Sequence, residues 1–230
     1  MVELHPAWPM PGPNGVRRLR CTPERLPAVV AEVRALARSH GVGLVWTLDE
    51  ESIHLQPELL ALNIVLDTEV AVLLLEDDVK APTIAGLELL DGLASLDAYR
   101  VHHATVAAGF PARPDLALEG DIVERYRLAM SRHDSRLVTA RFNGEYAGGG
   151  SVRLLPDGAR LGGGSVKPEF RGRGIYRALV AARVRIARDA GLTAVATDAR
   201  PTSKPILLQI GFRQVGRWWG YRDLEVMGPI

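Results

Sequence analysis

The segment from Val166 to Leu179 constrains the fold more than any other part of the sequence. An apolar run ends at Val166, Pro168 interrupts strand pairing, and a loop with two arginines and two glycines follows. The apolar residues after Gly174 keep helical spacing. A strand that continues through a glycine loop directly into a helix is typical of proteins in which helices pack on a sheet, so we expect that class of fold.

The start of this helix predicts an anion site. The first-turn amides of a helix have no partner within it, and the helix dipole is positive at this end. Gly172 and Gly174 let the backbone approach a phosphate, and Arg171 and Arg173 add positive charge. The sequence therefore predicts a cradle for a pyrophosphate. The other phosphate-binding patterns, GxxxxGK[ST] and a GxGxxG after the first strand, do not occur.

The other elements follow from turn signals and apolar periodicity. Asn143-Gly144 and Pro156-Asp157-Gly158 are turn signals that predict three successive antiparallel strands. The predicted helices are 22–40, 55–62, 115–131, 172–190 and 203–210. The predicted strands are 42–47, 65–75 (as one strand or two), 100–106, 136–142, 146–155, 159–167, 193–197, 213–219 and 221–226. This is an α/β, or mixed α+β, fold in which helices pack on a mixed sheet.

A weak internal repeat bears on the domain organisation. At an offset of 150, the segments 31–49 and 181–199 are identical at six of 19 positions. Each would be a helix, a glycine stop and a strand, so the first copy is either a degenerate half of the same fold or a chance match between helix–strand units. We expect an N-terminal αβ region over 1–95 and a second domain over 96–230.

Composition limits the remaining choices. A single cysteine, Cys21, excludes a disulfide framework, and no apolar run approaches the ~20 residues of a membrane helix. Residues 1–115 carry 9 Lys+Arg and 16 Asp+Glu, whereas 116–230 carry 19 and 11. The cationic half suits an anionic ligand, or the two halves simply differ in surface charge. We expect a soluble, cytoplasmic protein.

The residues of the loop resemble a known family. Arg171-Gly172-Arg173-Gly174-Ile175, preceded by Val166-Lys167-Pro168, is similar to the hallmark loop of the GNAT superfamily of N-acetyltransferases. Gly211-Phe212 after a short helix and the upstream hairpins also match the family's pattern. The resemblance covers about residues 95–230. It implies a central mixed sheet with helices on both faces and a V-shaped splay between the strands at 159–167 and 193–197.

The resemblance also implies a ligand, acetyl-CoA or coenzyme A as co-substrate, held in that splay. The pantetheine arm would pair with backbone at Val166, and an amide near Gly164 would polarise the thioester carbonyl. The three glycines at 162–164 fit a bulged strand that a ligand approaches closely, or they only relieve the twist of the hairpin. The coenzyme-binding residues implied are Val166, Arg171, Gly172, Arg173, Gly174, Ile175, Tyr176 and Ser203.

The sequence departs from the family's pattern at several positions. Tyr176 replaces the small residue that ends the loop, so its ring must turn away from the pyrophosphate or cover the coenzyme. Leu207 stands where many members have a tyrosine acid, Arg200 stands where many have asparagine, and 159–164 contains no glutamate base. The catalytic acid and base therefore stay unnamed, with Asp198 as a weak candidate base.

Two functions remain after these departures. The first is an acyl-CoA-dependent N-acyltransferase, acting on an amine of a small molecule or protein. The second is an acyl-CoA-binding sensor without catalysis. Nucleic-acid and membrane partners are not expected.

A few further residues could carry a function. Ser203 either caps the helix that follows or meets the coenzyme. His102 and His103, on one predicted strand, would point to opposite faces, and no metal is expected there. Trp218, Trp219 and Tyr221 pack on the sheet, line the acceptor pocket or form a homodimer contact.

Overall fold

The computed structural model describes residues 1–5, 14–110 and 122–226. The helices and strands in these ranges follow the periodicity of the apolar residues. The strands are β1 (Val2–Glu3), β2 (Gly15–Val16), β3 (Val45–Asp49), β4 (Ile64–Leu75), β5 (Leu87–Asp91), β6 (Ser135–Phe142), β7 (Glu145–Leu155), β8 (Gly158–Val166), β9 (Val195–Ala199) and β10 (Arg213–Asp223). The helices are α1 (Leu26–His40), α2 (Gln56–Ala61), α3 (Leu96–Ala108), α4 (Ile122–Ser131), α5 (Ile175–Asp189) and α6 (Lys204–Ile210). The part of the predicted 115–131 helix that precedes Ile122 lies outside the described residues.

These elements belong to two units. Unit 1 comprises Met1–Val72, Ala199–Thr202 and Val215–Ile230, and unit 2 comprises Leu73–Asp198 and Ser203–Gln214. Each unit is therefore built from more than one stretch of chain. The predicted division into sequence domains at 95/96 stays a prediction.

Unit 1 is a mixed sheet with a helix on it. β2 is parallel to β3, β10 is antiparallel to β3, and β4 lies beside β10. The buried side of α1 packs with Trp46 and Tyr221 in an apolar core. The expected break at Gly220 does not occur, because β10 pairs without interruption with β3 from Trp218 to Arg222. Tyr221 is thus a core residue of this unit.

Unit 2 holds the predicted hairpins. β5, β6, β7 and β8 are antiparallel in succession, and β9 is parallel to β8. A Cβ on Gly149 would meet α3 at His102, whereas a Cβ on Gly150 would meet α5 at Arg183. Because successive residues of a strand point to opposite faces, α3 and α5 lie on opposite faces of this sheet. Helices on both faces were predicted, although a strand was predicted in place of α3.

The strand predicted over 100–106 is wrong, because this segment is the middle of α3. The Ser95 side chain accepts a hydrogen bond from the Ala98 amide, which supplies an N-cap that starts the helix upstream. His102 and His103 are consequently about 100° apart around a helix rather than on opposite faces of a strand. His102 is buried, and its Nδ1 lies 2.9 Å from Thr139 Oγ1.

The two copies of the weak repeat have the same local structure. α1 and α5 are each followed by a glycine with positive φ, Gly41 (64°) and Gly191 (77°), and then by a strand that starts four residues later. The Val42 amide donates to the Ala37 carbonyl (3.1 Å), and the Leu192 amide donates to the Ala187 carbonyl (3.0 Å). A short helix and a longer strand follow in both copies.

Candidate functional site

β8 and β9 pair along only part of their length. Their register runs from Ala159↔Val195 to Leu161↔Thr197, although β8 continues to Val166. Among the residues that the structure describes, the second half of β8 therefore has no strand partner on its β9 side. This is the splay that the sequence resemblance implies.

A bulge in β8 lies where the splay opens. Gly149 pairs with Ser165 and Ser151 with Gly162, so two residues of β8 face the single Gly150 of β7. Gly163 within the bulge has φ of +57°, a conformation in which glycine avoids the strain of a Cβ. The bulge expected at 162–164 is thus present, and the close approach of a ligand stays a prediction. A bulge bends a strand and increases its local twist. This part of β8 therefore turns away from regular pairing.

The edge of β8 presents backbone to the splay. The Lys167 amide donates to the Ala147 carbonyl on β7 (2.8 Å). Because backbone groups alternate along a strand, the N–H and C=O of Val166 point to the other side. The Val166 carbonyl accepts a hydrogen bond from Arg171 Nε (3.1 Å), which leaves the Val166 amide as the donor directed to the splay.

The loop after β8 has the backbone that its glycines predict. Gly172 and Gly174 have φ of +77° and +79°, and Gly174 is the N-cap of α5 without a side-chain cap. The amides of Ile175, Tyr176 and Arg177 therefore open the helix with no carbonyl partner inside it. This end of α5 is a site for an anion on chemical grounds.

The two loop arginines contact other parts of unit 2. Arg171 donates to the carbonyls of Val166 and Gly109, both at 3.1 Å, and so connects the end of β8 with the end of α3. The Arg173 guanidinium lies over the Phe142 ring, 5.6 Å from its centroid. The positive charge of Arg171 is thus engaged by backbone carbonyls, which leaves the amides as the main donors of the loop.

Tyr176 turns its ring under β8. A Cβ on Gly164 would lie 3.3 Å from Tyr176 Cε2, and the hydroxyls of Tyr176 and Ser203 share a hydrogen bond. Burial raises the pKa of Tyr176, while the charge of Arg183 and the hydrogen bond to Ser203 act in the opposite direction. Tyr176 is therefore a protonated hydroxyl beside the bulge. Ser203 is the N-cap residue of α6, as one interpretation expected, but its side chain makes no capping hydrogen bond.

Arg183 lies beneath the same bulge and was not identified from the sequence. Only 1% of its surface is exposed, and it donates to the carbonyls of Leu179 (2.9 Å), Gly162 (3.2 Å) and Ser151 (3.3 Å). No carboxylate in the described part of the chain pairs with it, and burial lowers its pKa to about 10. Its position four residues after Leu179, on the buried side of α5, is the signal that could have identified it.

Glycines on two strands make room for this guanidinium. A Cβ on Gly150 would lie 2.6 Å from Arg183 Nη1, and one on Gly164 would lie 3.0 Å from its Nη2. The paired GGGSV segments of β7 and β8 therefore admit a buried cation beside the splay.

Asp198, the candidate base, and Leu207, at the family's acid position, both have structural roles. Asp198 on β9 accepts a hydrogen bond from the Arg160 guanidinium of β8. Leu207, where the family places a tyrosine, is buried in α6. Gly211 follows with φ of +119°, and Phe212 is buried. No group of three metal-ligating side chains occurs among the described residues.

A parallel strand pair that splays ahead of a glycine loop and a helix defines a class of α/β proteins with a gap in the sheet. Residues 100–212 match the model of the acetyltransferase (GNAT) family. This match over residues 100–212 confirms the resemblance of the loop to the family. No curated protein sequence matches the chain.

Solved structures support the same fold. A GCN5-related N-acetyltransferase from Kribbella flavida superposes with a TM-score of 0.66 and 16% identity, over 88% of this chain and 77% of that one. A functionally unknown conserved protein from Staphylococcus epidermidis gives 0.69 and 16%, over 96% and 89%. A tandem GNAT protein from the clavulanic acid biosynthesis pathway gives 0.60 and 21%, over 90% and 70%. The predicted GNAT-like mixed fold is confirmed. Among the described residues, no helix is long and apolar enough to cross a membrane.

Proposed function

We propose that this protein is an acyl-CoA-dependent N-acyltransferase that transfers acetyl from acetyl-CoA to an amine of a small molecule or protein. The observation that carries the proposal is the unpaired edge of β8, which ends at Val166 and leads into the glycine loop of α5. An extended amide-containing chain can pair with a strand edge, and a pyrophosphate suits a helix N-terminus. Coenzyme A joins these two groups in one molecule.

The residues present fit this co-substrate. The Val166 amide faces the splay, and the amides of Ile175 to Arg177 have no partner within the helix. Gly174 gives the loop a backbone that carries no side chain over these amides. Arg171 holds the end of β8 in place through the Val166 carbonyl.

Bound acetyl-CoA supplies an activated thioester, at which an amine nitrogen forms the new bond to carbon as the bond to sulfur breaks. The chain's residues then have two tasks. A backbone amide near Gly164 donates to the thioester oxygen as it gains charge. The Tyr176 hydroxyl, held protonated by burial, donates to the sulfur, while the amine proton passes to water or to a base.

The buried charge of Arg183 supports the same step. It lies against Gly164 and affects Tyr176 electrostatically. A buried cation without a carboxylate partner lowers the energy of an anion formed beside it. Asp198 is a weaker candidate for the base, because its carboxylate already pairs with Arg160.

The alternative is a catalytically inactive acyl-CoA sensor. The buried Leu207 at the family's acid position favours it, since that side chain cannot transfer a proton. Binding is common to both functions, and turnover separates them.

Calorimetry of acetyl-CoA, coenzyme A and ATP tests the proposal. We expect the two coenzymes to bind and ATP not to bind. A panel of amines with detection of the released thiol then shows turnover for the enzyme and none for the sensor. Absence of coenzyme binding would contradict both.

Substitution of Gly174 tests the cradle. In Gly174→Val the side chain would meet Ile84, which lies 3.3 Å from the Cβ position, and φ of +79° disfavours a branched residue. We expect coenzyme binding to be lost. Gly191→Val, at the other end of α5, has a similar φ of +77° and open space, so it should lose stability by a similar mechanism yet keep binding. If Gly174→Val still bound the coenzyme, the assignment of this loop as the pyrophosphate site would be wrong.

A further inference from the structure

The guanidinium of Arg183 has one nitrogen without a hydrogen-bond acceptor. Its Nε donates to the Leu179 carbonyl, and its Nη1 donates to the carbonyls of Gly162 and Ser151. Within the described ranges of the chain, Nη2 donates to no acceptor. Nη2 lies 3.0 Å from the position of a Cβ on Gly164. Its N–H groups therefore lie against the bulge of β8, beside the point where β8 and β9 separate.

The carboxylates on the elements around Arg183 do not balance its charge. Asp189 at the end of α5 pairs with Arg185. Asp198 on β9 pairs with Arg160. β8 carries no acidic residue, and the single acid of β7 is its first residue, which is exposed. The positive charge of Arg183 is thus not neutralised by any carboxylate of these elements.

The guanidinium stays charged although it is buried. Burial lowers the pKa of Arg183 to about 10, so it is protonated at neutral pH. The Tyr176 hydroxyl acts in the opposite direction on this pKa and is itself uncharged. The charge of Arg183 in turn helps to lower the pKa of His102, which burial keeps neutral. Since buried charges in proteins are normally paired, the charge and the spare donors of Arg183 indicate an anion that a ligand brings.

The side of the sheet on which Arg183 lies indicates which substrate carries this anion. Gly163 in the bulge is exposed, and a Cβ on it would lie 4.0 Å from Val106 of α3. Solvent therefore reaches the bulge on the α3 side, opposite to α5. Arg183 shares the α5 side with Tyr176, whose hydroxyl is the proposed donor to the thioester sulfur. This position favours an anion on the acyl group over one on the acceptor amine.

We propose that the site also takes acyl groups that end in a carboxylate, such as malonyl or succinyl, and that Arg183 binds this carboxylate. The inference rests on the proposed function, because it assigns a class of acyl group to the same site. A guanidinium donates charge-assisted hydrogen bonds to a carboxylate, and both groups are planar. In the transfer, the amine nitrogen bonds to the thioester carbon and the carbon–sulfur bond breaks. The amine loses one proton and the sulfur gains one, while the terminal carboxylate stays ionised.

Calorimetry with two matched pairs of thioesters tests the proposal. Succinyl-CoA and butyryl-CoA have acyl chains of equal length that end in a carboxylate and a methyl group, and malonyl-CoA and propionyl-CoA are the shorter pair. In the wild type we expect the charged member of at least one pair to bind about tenfold more tightly, as for one charge-assisted contact. Equal affinity within both pairs would overturn the proposal without the need for any variant.

Substitution of Arg183 tests which group binds the carboxylate. Arg183→Gln, checked for folding by circular dichroism, should remove the preference and leave the affinity for the neutral thioester unchanged. Arg183→Lys, which keeps the charge without the planar guanidinium, should keep only part of the preference, and it decides the matter if Arg183→Gln does not fold. Arg185→Gln, which removes an exposed charge from α5, should keep the full preference. A full preference in both Arg183 variants would contradict the assignment.

Turnover separates this inference from the proposed function. Acetyl transfer without a preference for either charged thioester would overturn the carboxylate site at Arg183 while the acyltransferase stands. A preference that depends on Arg183, without transfer to any amine, would support the carboxylate site and overturn the acyltransferase. Binding of none of the thioesters would overturn both. If Arg183→Gln raised KM with acetyl-CoA only for amines that carry a carboxylate, the anion would belong to the acceptor and the proposal would be wrong.

Discussion

At the residue scale, the hydroxyl of Tyr176 is the proton donor of the proposed reaction. It lies under the bulge of β8 and shares a hydrogen bond with Ser203. If it donates a proton to the leaving sulfur, Tyr176→Phe should lower kcat by about 10²-fold and leave the Kd of coenzyme A nearly unchanged. Steady-state kinetics and calorimetry on the same variant check this expectation.

Leu207→Phe is a control of a different kind, because it alters a buried side chain of α6 without adding a hydroxyl. It should reduce stability rather than change the pH dependence of kcat.

An unchanged kcat in Tyr176→Phe would mean that Tyr176 contributes to packing alone. A parallel loss of coenzyme affinity would place its role in binding.

The sequence singled out Tyr176 only because it replaces the small residue of the family, and left two directions open for its ring. Where the ring goes depends on the space below Gly164 and on the distance to Ser203, which are properties of the folded sheet. Arg183 was missed because an arginine on a helix is usually solvated. Its burial follows from the missing side chains of Gly150 and Gly164, 33 and 19 positions earlier in the chain.

At the scale of elements, α3 makes stability depend on pH. Burial lowers the pKa of His102 to about 3, and burial lowers that of His103 to about 4. Both are neutral when folded, whereas the unfolded chain takes up a proton below about pH 6.5. Stability is therefore complete above pH 6.5 and decreases as the pH falls. His102 alone accounts for about 2 kcal/mol between pH 7 and pH 5.

Urea unfolding followed by circular dichroism at pH 7 and pH 5 measures this effect. His102→Asn should be less stable at pH 7 but should lose less stability between the two pH values. The matched control is His133→Gln, since His133 is exposed, and it should behave like the wild type. Equal stability of the wild type at both pH values would contradict the assignment.

The error over α3 shows which elements a sequence pattern can define. The hairpins and the loop before α5 carry their own turn residues, so their positions were predicted within a few residues. The segment 100–106 is rich in β-branched residues and histidine, which local preference favours as strand. Its helix depends on the Ser95 cap upstream and on packing of His102 against β6 and β7, which act over longer distances.

At the scale of the whole molecule, the chain has two copies of one series of elements, and they differ at the helix start. At the offset of 150, Pro23 and Glu24 stand where the second copy has Arg173 and Gly174. Proline has no amide hydrogen, and the Glu24 carboxylate is fully exposed at the helix start, so an anion is repelled there. The first copy therefore shares the order of elements with the second and lacks the glycines and arginines of the loop.

This difference predicts one coenzyme for each chain. Calorimetric titration with coenzyme A should give a stoichiometry of one, and Gly174→Val should leave no residual binding. The pair Pro23→Ala and Glu24→Gln, which restores an amide and removes the charge, should not raise the stoichiometry, because the first copy still lacks glycines at its helix start. A stoichiometry of two, or a remaining full-strength site in Gly174→Val, would mean that the first copy also binds the coenzyme. The repeat would then be functional rather than a structural framework.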